Sequence, residues 1–459
     1  MTKIFSGNFA KAGNSNSLLS RAFKLSLPIA IQSALGAFLG LTDVLMVSDL
    51  GAAATASVGI ASKWIFVAMM IAAGICTATG TLVAQYWGKG EVVACKQVVC
   101  EAFIEGIKLL LPIAIIITVF ADAIMLLQTK DSEVMALGRD YLWFTAPILL
   151  LTLLLMICET TLRSSDEVVI PLVLGTTTIL LNIALNYWFI KGGFGIPALG
   201  VIGAALATTV SRAVQILLTL AVLVSRHHWL LSGKFVRASQ ALRERFRVLA
   251  YPAMANTVFW ALGTLCYQMI YGHLGTTELA VFSMMGPFEG LCYSLFFGVS
   301  VACSVMLGQA LGRDDFSHAA VVANFYIRSI LFMGVFASAF ILMNKSLLLS
   351  FLNLDQPDLV PLASPAITLL GLTIGLRMLN LILINGILRA GGENKFCLRM
   401  DFIAMWLVGI PLVAFAAFVL KWSFTWVLTI MIAEEIVKFV LCLKRYRQKY
   451  WLQNLTVAV

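Results

Sequence analysis

An aspartate inside an apolar run is costly, about 3 kcal/mol or more on insertion scales, so its presence asks for a reason. Asp43 stands in LGAFLGLTDVLMVSDLG, fifteen residues after Pro28 in what reads as one helix. A carboxylate whose charge is expensive to bury can load and release a proton. Asp49, close to the following loop, reads as an ordinary end-of-helix acid. A second polar group lies in TTTILLNIALNYWFI, where Asn182 and Asn186 are spaced i, i+4 and share one helix face. Two amides inside a span need partners. Interhelical hydrogen bonds, worth about 0.6 kcal/mol each, are one reading. A pocket opposite Asp43, offering oxygens to a cation or hydrogen bonds to the carboxyl, is the other. Pro28 frees a backbone carbonyl, which makes it a bend or hinge within the Asp43 helix.

Further along, Glu289 and Arg377 fall near the middle of apolar segments, and either line a cavity or pair with each other. Trp260 and Met285 belong to a methionine- and aromatic-rich stretch of the same half. Such side chains suit varied apolar ligands and equally make plain core. Glu435 and Lys438 are spaced to pair at i, i+3. The signs of enzymatic chemistry are missing: there is no HExxH, no paired-aspartate site and no CxxC. Nine cysteines lie mostly in apolar runs and read as packing residues, and the four histidines form no metal-ligand pattern. No metal or other cofactor is expected.

The elements that must position these residues follow from composition. The chain is 60% hydrophobic and 12% charged, with mean hydropathy +0.94. Soluble domains are about 45–50% apolar and about 25% charged, so lipid must cover part of this surface. Apolar runs at 22–47, 57–86, 95–121, 139–161, 169–190 and 200–225 are followed by 248–273, 279–309, 319–344, 361–388, 397–420 and 424–443. Each is long enough to cross a bilayer as a helix, and a barrel would show alternating segments of about ten residues instead. The fold class expected is an all-α integral membrane protein of twelve transmembrane helices.

Charge sets the orientation. Lys89, Lys96, Arg163, the stretch from Arg226 to Arg247, Arg313, Arg389, Lys395, Arg399 and the tail 444–449 fall in one set of connections. The alternate set holds only Lys130, Lys191, Lys345 and Lys421. By the positive-inside rule both termini are expected in the cytoplasm, in a bacterial-type inner (plasma) membrane. Residues 1–20 read as a short polar tail rather than a cleaved signal. The net charge of +9 is explained by topology, and no nucleic-acid-binding module is visible.

The longest basic stretch lies near the middle, between two similar halves. Pro28 and Pro252 are 224 residues apart. At that offset Leu50-Gly51 falls on Leu274-Gly275, Gly74 on Gly298, Gln85 on Gln309 and Gly88 on Gly312. Leu162-Arg163 falls on Leu388-Arg389 at an offset of 226. The expected organisation is therefore 1–225 as an N-terminal six-helix bundle, 226–247 as a basic linker and 248–459 as a C-terminal six-helix bundle. The bundles would be related by a pseudo-two-fold axis along the membrane normal, a plan used by secondary transporters with the site between the halves. The position equivalent to Asp43 is Tyr267, so the carboxylate is not part of the repeated scaffold. One chain would form a complete site, which suits a functional monomer.

The set Leu27-Pro28, Leu41-Thr42-Asp43, Leu50-Gly51, Gln85-Tyr86-Trp87-Gly88, Asn182-Ile183-Ala184-Leu185-Asn186-Tyr187, Gly203–Thr208, Gly308–Gly312 and Leu388-Arg389 resembles the multidrug and toxic compound extrusion (MATE) family. The resemblance spans nearly the whole chain. It implies two six-helix bundles around a cleft, exporting amphiphilic or cationic organic compounds in exchange for protons or sodium ions. Asp43 matches the family's first-helix acid, Pro28 the place where that helix bends, and Asn182 and Asn186 the polar pair of the fifth helix. By the same resemblance Tyr141 and Thr208 join this ion-coupling group, where a sodium ion at Asp43, Asn182 and Asn186 is the alternative to a proton. Some members carry Asp where this chain has Asn186. The acids that another branch places in its second half correspond to about Trp260 and Arg377 or Met378. With the key acid in the first half only, the pattern is nearer the proton-coupled, DinF-like one. A flippase for lipid-linked or amphiphilic substrates shares the bundle plan and is the alternative function.

Overall fold

The computed structural model describes residues 15–193, 195, 197–232, 237–352, 354 and 356–457. The first fourteen residues of the expected polar tail, and Lys234 of the basic linker, lie outside them. The regular elements are helices: α1 (Ser15–Ser48), α2 (Ala52–Lys89), α3 (Val92–Val119), α4 (Ala121–Leu126), α5 (Ser132–Ser164), α6 (Val169–Lys191), α7 (Gly200–Ser225) and α8 (Gln240–Leu274). They continue with α9 (Thr276–Gly312), α10 (Phe316–Met343), α11 (Lys345–Phe351), α12 (Val360–Leu381), α13 (Asn394–Phe402), α14 (Ile410–Ala414), α15 (Phe424–Ile430) and α16 (Ile432–Arg447). Wider i→i+5 turns extend α12 over Ile382–Leu388 and flank α14 over Ile403–Gly409 and Phe415–Val419.

Local chemistry fixes several ends. Asp131 and Ser239 accept hydrogen bonds from first-turn amides of α5 and α8. Gly90 closes α2 in the left-handed conformation at φ 83°, returning its amide to the Trp87 carbonyl. Polar side chains inside the spans bond back to the preceding turn, as Thr79 does to the Ile75 carbonyl at 2.8 Å. Backbone groups in lipid have no water to turn to, and this continuous helical pairing satisfies them. The outer faces are apolar: on α10, Phe332, Val335 and Phe336 are exposed, a surface that suits acyl chains and not water.

Eleven helices among the described residues are long and apolar enough to span a membrane. The expected twelfth, 424–443, is instead two shorter helices broken at Met431. Glu434, Glu435 and Lys438 enter this segment just past the break, so its apolar stretch is short. The twelve-segment, two-bundle plan is nonetheless the one present.

The halves meet through α1 against α9 and through α2 against α8 and α9. Glycine makes these crossings close. A Cβ on Gly74 would overlap the Met254 backbone, and one on Gly298 would overlap that of Ala30. Gly88 lies against the Gln309 main chain, and Gly312 against that of Gln85. The 224-residue offset turns each contact into its partner, so the interface is self-complementary in the manner of a two-fold dimer. The polar contacts obey the same relation. Gln85 Nε2 donates to the Ala390 carbonyl at 2.9 Å and Gln309 Nε2 to the Ser164 carbonyl at 3.0 Å. Arg163 donates to Gln32 and Glu159 at 2.8 and 3.0 Å, while Arg389 donates to their counterparts Asn256 and Asn385.

These crossings cluster toward the end that carries Gly90, Asp166, Asp314 and the tail, here called the basic end. Toward the other end the halves part. A Cβ on Gly36 or Gly40 of α1, or on Gly286 or Gly290 of α9, would meet nothing within 4 Å, and Phe38, Leu45 and Tyr293 are exposed there.

Candidate functional site

Asp43 sits in the last turns of α1, beside α6 and α7. Asn186 donates from Nδ2 to Asp43 Oδ1 at 2.6 Å and to Asn182 Oδ1 at 3.0 Å. Asn182 Nδ2 in turn reaches Thr208 Oγ1 at 3.5 Å, and that hydroxyl donates to the Ala204 carbonyl. The i, i+4 spacing on α6 places both amides on the face toward α1 and α7. They are 2% and 1% exposed, so no bulk water competes for them. Asn186 Oδ1 is buried without a hydrogen-bond partner. It is an unsatisfied acceptor in this pocket. Tyr141 of α5 packs against the small neighbouring core of Val47, Ala54, Ile190, Val201 and Ala204. The structure thus joins Asp43, Asn186, Asn182 and Thr208 in one hydrogen-bonded chain, with Tyr141 packed nearby.

A cavity of about 360 Å³ opens beside this pair, lined by Thr42, Leu45, Met46, Asn186, Tyr187 and Lys191. At its mouth Lys191 pairs with Asp49 at 3.4 Å and lies over the Tyr187 ring. The cavity faces away from the basic end. Pro28 lies one residue from the buried Ile29, inside an unbroken helical segment of α1.

A second polar network lies nearer the basic end of the same half. Glu159 accepts from Arg163 at 3.0 Å and from Gln215 at 3.1 Å, and Gln215 accepts from Arg212. Arg212 stands one turn from Thr208 on α7. A polar seam therefore runs from Asp43 down the first half.

The second half differs from expectation. Tyr267, the counterpart of Asp43, donates its hydroxyl to Glu434 of α16. Lys438 lies 2.6 Å from Glu434, 3.9 Å from Asp401 and 4.0 Å from Glu435. Asn256 and Asn380 donate to Asp401 and Glu435, each at 2.7 Å. Lys438 therefore pairs with Glu435 at i, i+3 as the spacing suggested, and more closely with Glu434 at i, i+4. The second half does hold buried acids. They come from α13 and α16 rather than from the α8 and α12 positions, and a lysine already occupies their centre.

Of the cleft candidates, Glu289 and Arg377 pair with each other at 3.2 Å, and Trp260 is 44% exposed. Met285 is only 5% exposed and packs into the second-half core. It does not line a cleft: its side chain turns inward, toward the packed helices. Among the described residues no cluster of three His, Cys, Asp or Glu side chains has a metal-binding arrangement.

The MatE family profile matches residues 28–188 and 252–415, the two repeats in turn. The uncharacterized transporter YisQ of Bacillus subtilis (strain 168) is 26% identical over 447 residues, covering 94% of this chain and 95% of its own. The multidrug resistance protein NorM of Vibrio parahaemolyticus is 26% identical over 400 residues, covering 85% and 86%. In fold, the chain superposes on the Vibrio cholerae MATE transporter VcmN in its bent form with a TM-score of 0.85 at 17% identity, over 95% of this chain and 97% of that one. Two matched repeats, full-length relatives and a shared two-bundle fold make this chain a member of the MatE family, the multidrug and toxic compound extrusion transporters it resembles in sequence.

Proposed function

We propose that this chain exports amphiphilic or cationic organic compounds across the inner membrane in exchange for protons, with Asp43 as the proton carrier. The observation that carries this reading is the Asp43–Asn186 contact at 2.6 Å, with Asn186 also lining a cavity at the end away from the basic connections. The basic end collects the Lys and Arg of the connections, so the positive-inside rule assigns it to the cytoplasm. The open cavity then faces outward. NorM relatives named for multidrug resistance support the substrate class.

In this mechanism a proton from outside adds to Asp43. Neutralised, the carboxylate exerts a weaker pull on the Asn186 amide, since hydrogen bonds to charged groups are about twice as strong as neutral ones. The last turns of α1 are then free to shift against α6 and α7, with Pro28 as the hinge, and the cleft narrows and expels its ligand. Closing outside requires the glycine crossings at the basic end to part. Loss of the proton to the cytoplasm resets the site. The ligand differs in affinity between the two states, as a population shift requires. The Glu289–Arg377 pair and Trp260 are the second-half groups assigned to the cleft. The bundles are taken as 1–225 and 248–459 with 226–247 as linker, both termini cytoplasmic, and one chain as the working unit.

A sodium ion is the second reading, favoured by one observation: Asn186 Oδ1 is an unpartnered buried oxygen beside a carboxylate. Everted vesicles holding the wild-type protein separate the two. A pH gradient alone drives dye efflux in the proton reading, and a sodium gradient alone drives it in the other.

A further inference from the structure

The two-fold relation between the halves is broken at one place at the basic end, and a different part of the chain fills it. In one crossing, Arg21 of α1 donates to Gln309 Oε1 at 2.5 Å and pairs with Asp166 at 3.2 Å. The 224-residue offset maps Arg21 onto Arg245 and Gln309 onto Gln85, and an offset of 226 maps Asp166 onto Gly392. Asp166 and Gly392 share a left-handed backbone, at φ 67° and 84°. The second crossing therefore has the arginine and the glutamine, but no carboxylate at the third position, and the oxygen of Gln85 takes a different donor.

The tail after α16 supplies both missing contacts. The Leu455 amide donates to Gln85 Oε1 at 2.6 Å, taking the place Arg21 has at Gln309. Arg245 donates to the Leu455 carbonyl and, at 2.8 Å, to that of Val457, taking carbonyls where Arg21 takes Asp166. The Leu455 side chain rests on Gly392. The tail reaches the first half through Gln85, which donates to the Gln453 carbonyl, and Lys89, which donates to that of Thr456. It is fixed to the second half by Asn454, which donates to Asp314 Oδ1 at 2.8 Å, and by Trp451, which is buried against Gly391.

We propose that residues 453–457 are a latch that holds the basic end of the two halves closed, and that must leave Gln85 before that end can open. The segment touches α2 of the first half and the α9–α10 turn and Gly392 of the second half together, so parting the Gly88–Gln309 and Gly312–Gln85 contacts separates its two sets of anchors. The latch rests on the alternating-access reading above, but its geometry does not depend on the coupling ion or the substrate.

Hydrogen–deuterium exchange of the full-length protein in detergent tests it without any gradient or ligand. A chain ending at Leu452 keeps Trp451 in its slot and loses the contacts to Gln85, Lys89, Arg245 and Asp314. Exchange at the basic ends of α2 and α9, residues 82–90 and 306–313, is expected to rise about tenfold, while that of the α10 span stays unchanged. Arg245→Gln in the full chain gives the same pattern at smaller amplitude, and is decisive if the shortened chain does not fold. Unchanged exchange at both segments in a folded variant overturns the latch. Failure of the transport reading would show separately, as wild-type vesicles that move no dye under either gradient.

Discussion

Asp43 and Asn186, 143 residues apart in sequence, meet at 2.6 Å between α1 and α6, and the asparagine's NH2 group points at the carboxylate. A hydrogen bond to a charged group is worth about 1.5–3 kcal/mol, so this one contact holds α1 against α6 more strongly while the acid is ionised than when it is neutral. Asn186→Leu is expected to lower gradient-driven efflux about tenfold and to lower stability by about 1.5–3 kcal/mol, because the Asp43 carboxylate loses its donor. Initial efflux rates and thermal unfolding in detergent check both parts.

The glycine crossings make a prediction about stability. Gly88→Ala and Gly312→Ala each push a methyl group into opposing main chain, and overpacking of this kind costs about 1–3 kcal/mol. As two-fold counterparts, they should destabilise by similar amounts. Gly36→Ala and Gly40→Ala face open space and should be neutral or stabilising by about 0.5–1 kcal/mol, since alanine is the better helix former. Four melting curves suffice.

Lys438 neutralises a nest of three carboxylates in the second half. Lys438→Met removes the nearest counter-charge of Glu434 and its neighbours, which costs about 3–5 kcal/mol. Lys438→Arg keeps the charge and should recover most of the loss. Denaturation midpoints of the two variants test this. Equal losses would mean that lysine's packing, not its charge, holds the site.

Asp315, in the turn before α10, lies outside the spans. The His318 backbone amide and the Ser317 hydroxyl both donate to its carboxylate, which holds it below the usual carboxylate range. A depressed acid stabilises the fold above its unfolded value, about 3.9, and loses that contribution as pH falls through the lower folded value. Asp315→Ala should therefore cost about 1 kcal/mol at pH 7 and much less near pH 3. Paired melting temperatures at the two pH values measure the difference.

Much of this was legible in the sequence, for definable reasons. Spans announce themselves by length and hydropathy, and the repeat by landmarks at a constant offset. Gly74, Gln85 and Gly88 found their counterparts because those positions are where main chains touch and few other residues fit. The first-half site was legible because Asp43 is an acid in an apolar run and because Asn182 and Asn186 share a helix face. Contacts between distant segments were not. Tyr267 carries no charge, so nothing in its neighbourhood pointed to Glu434, 167 residues away. Met285 has the composition of a ligand-binding surface and of a core alike, and only the packing of α9 decides between them. The break at Met431 carries no mark in the sequence, which has neither Pro nor Gly there. The tail 451–457 has no periodicity, and its role depends on where Gln85 and Arg245 place their side chains.

The most direct test of the account is Asp43→Asn, which keeps the shape of the side chain and removes its charge and its proton. Dye efflux from everted vesicles under an imposed pH gradient should be abolished, while dye binding to the purified protein stays within about twofold of wild type. Efflux by the Asn variant at the wild-type rate would contradict the account: the coupling site would lie elsewhere, and Glu289 would be the next residue to change.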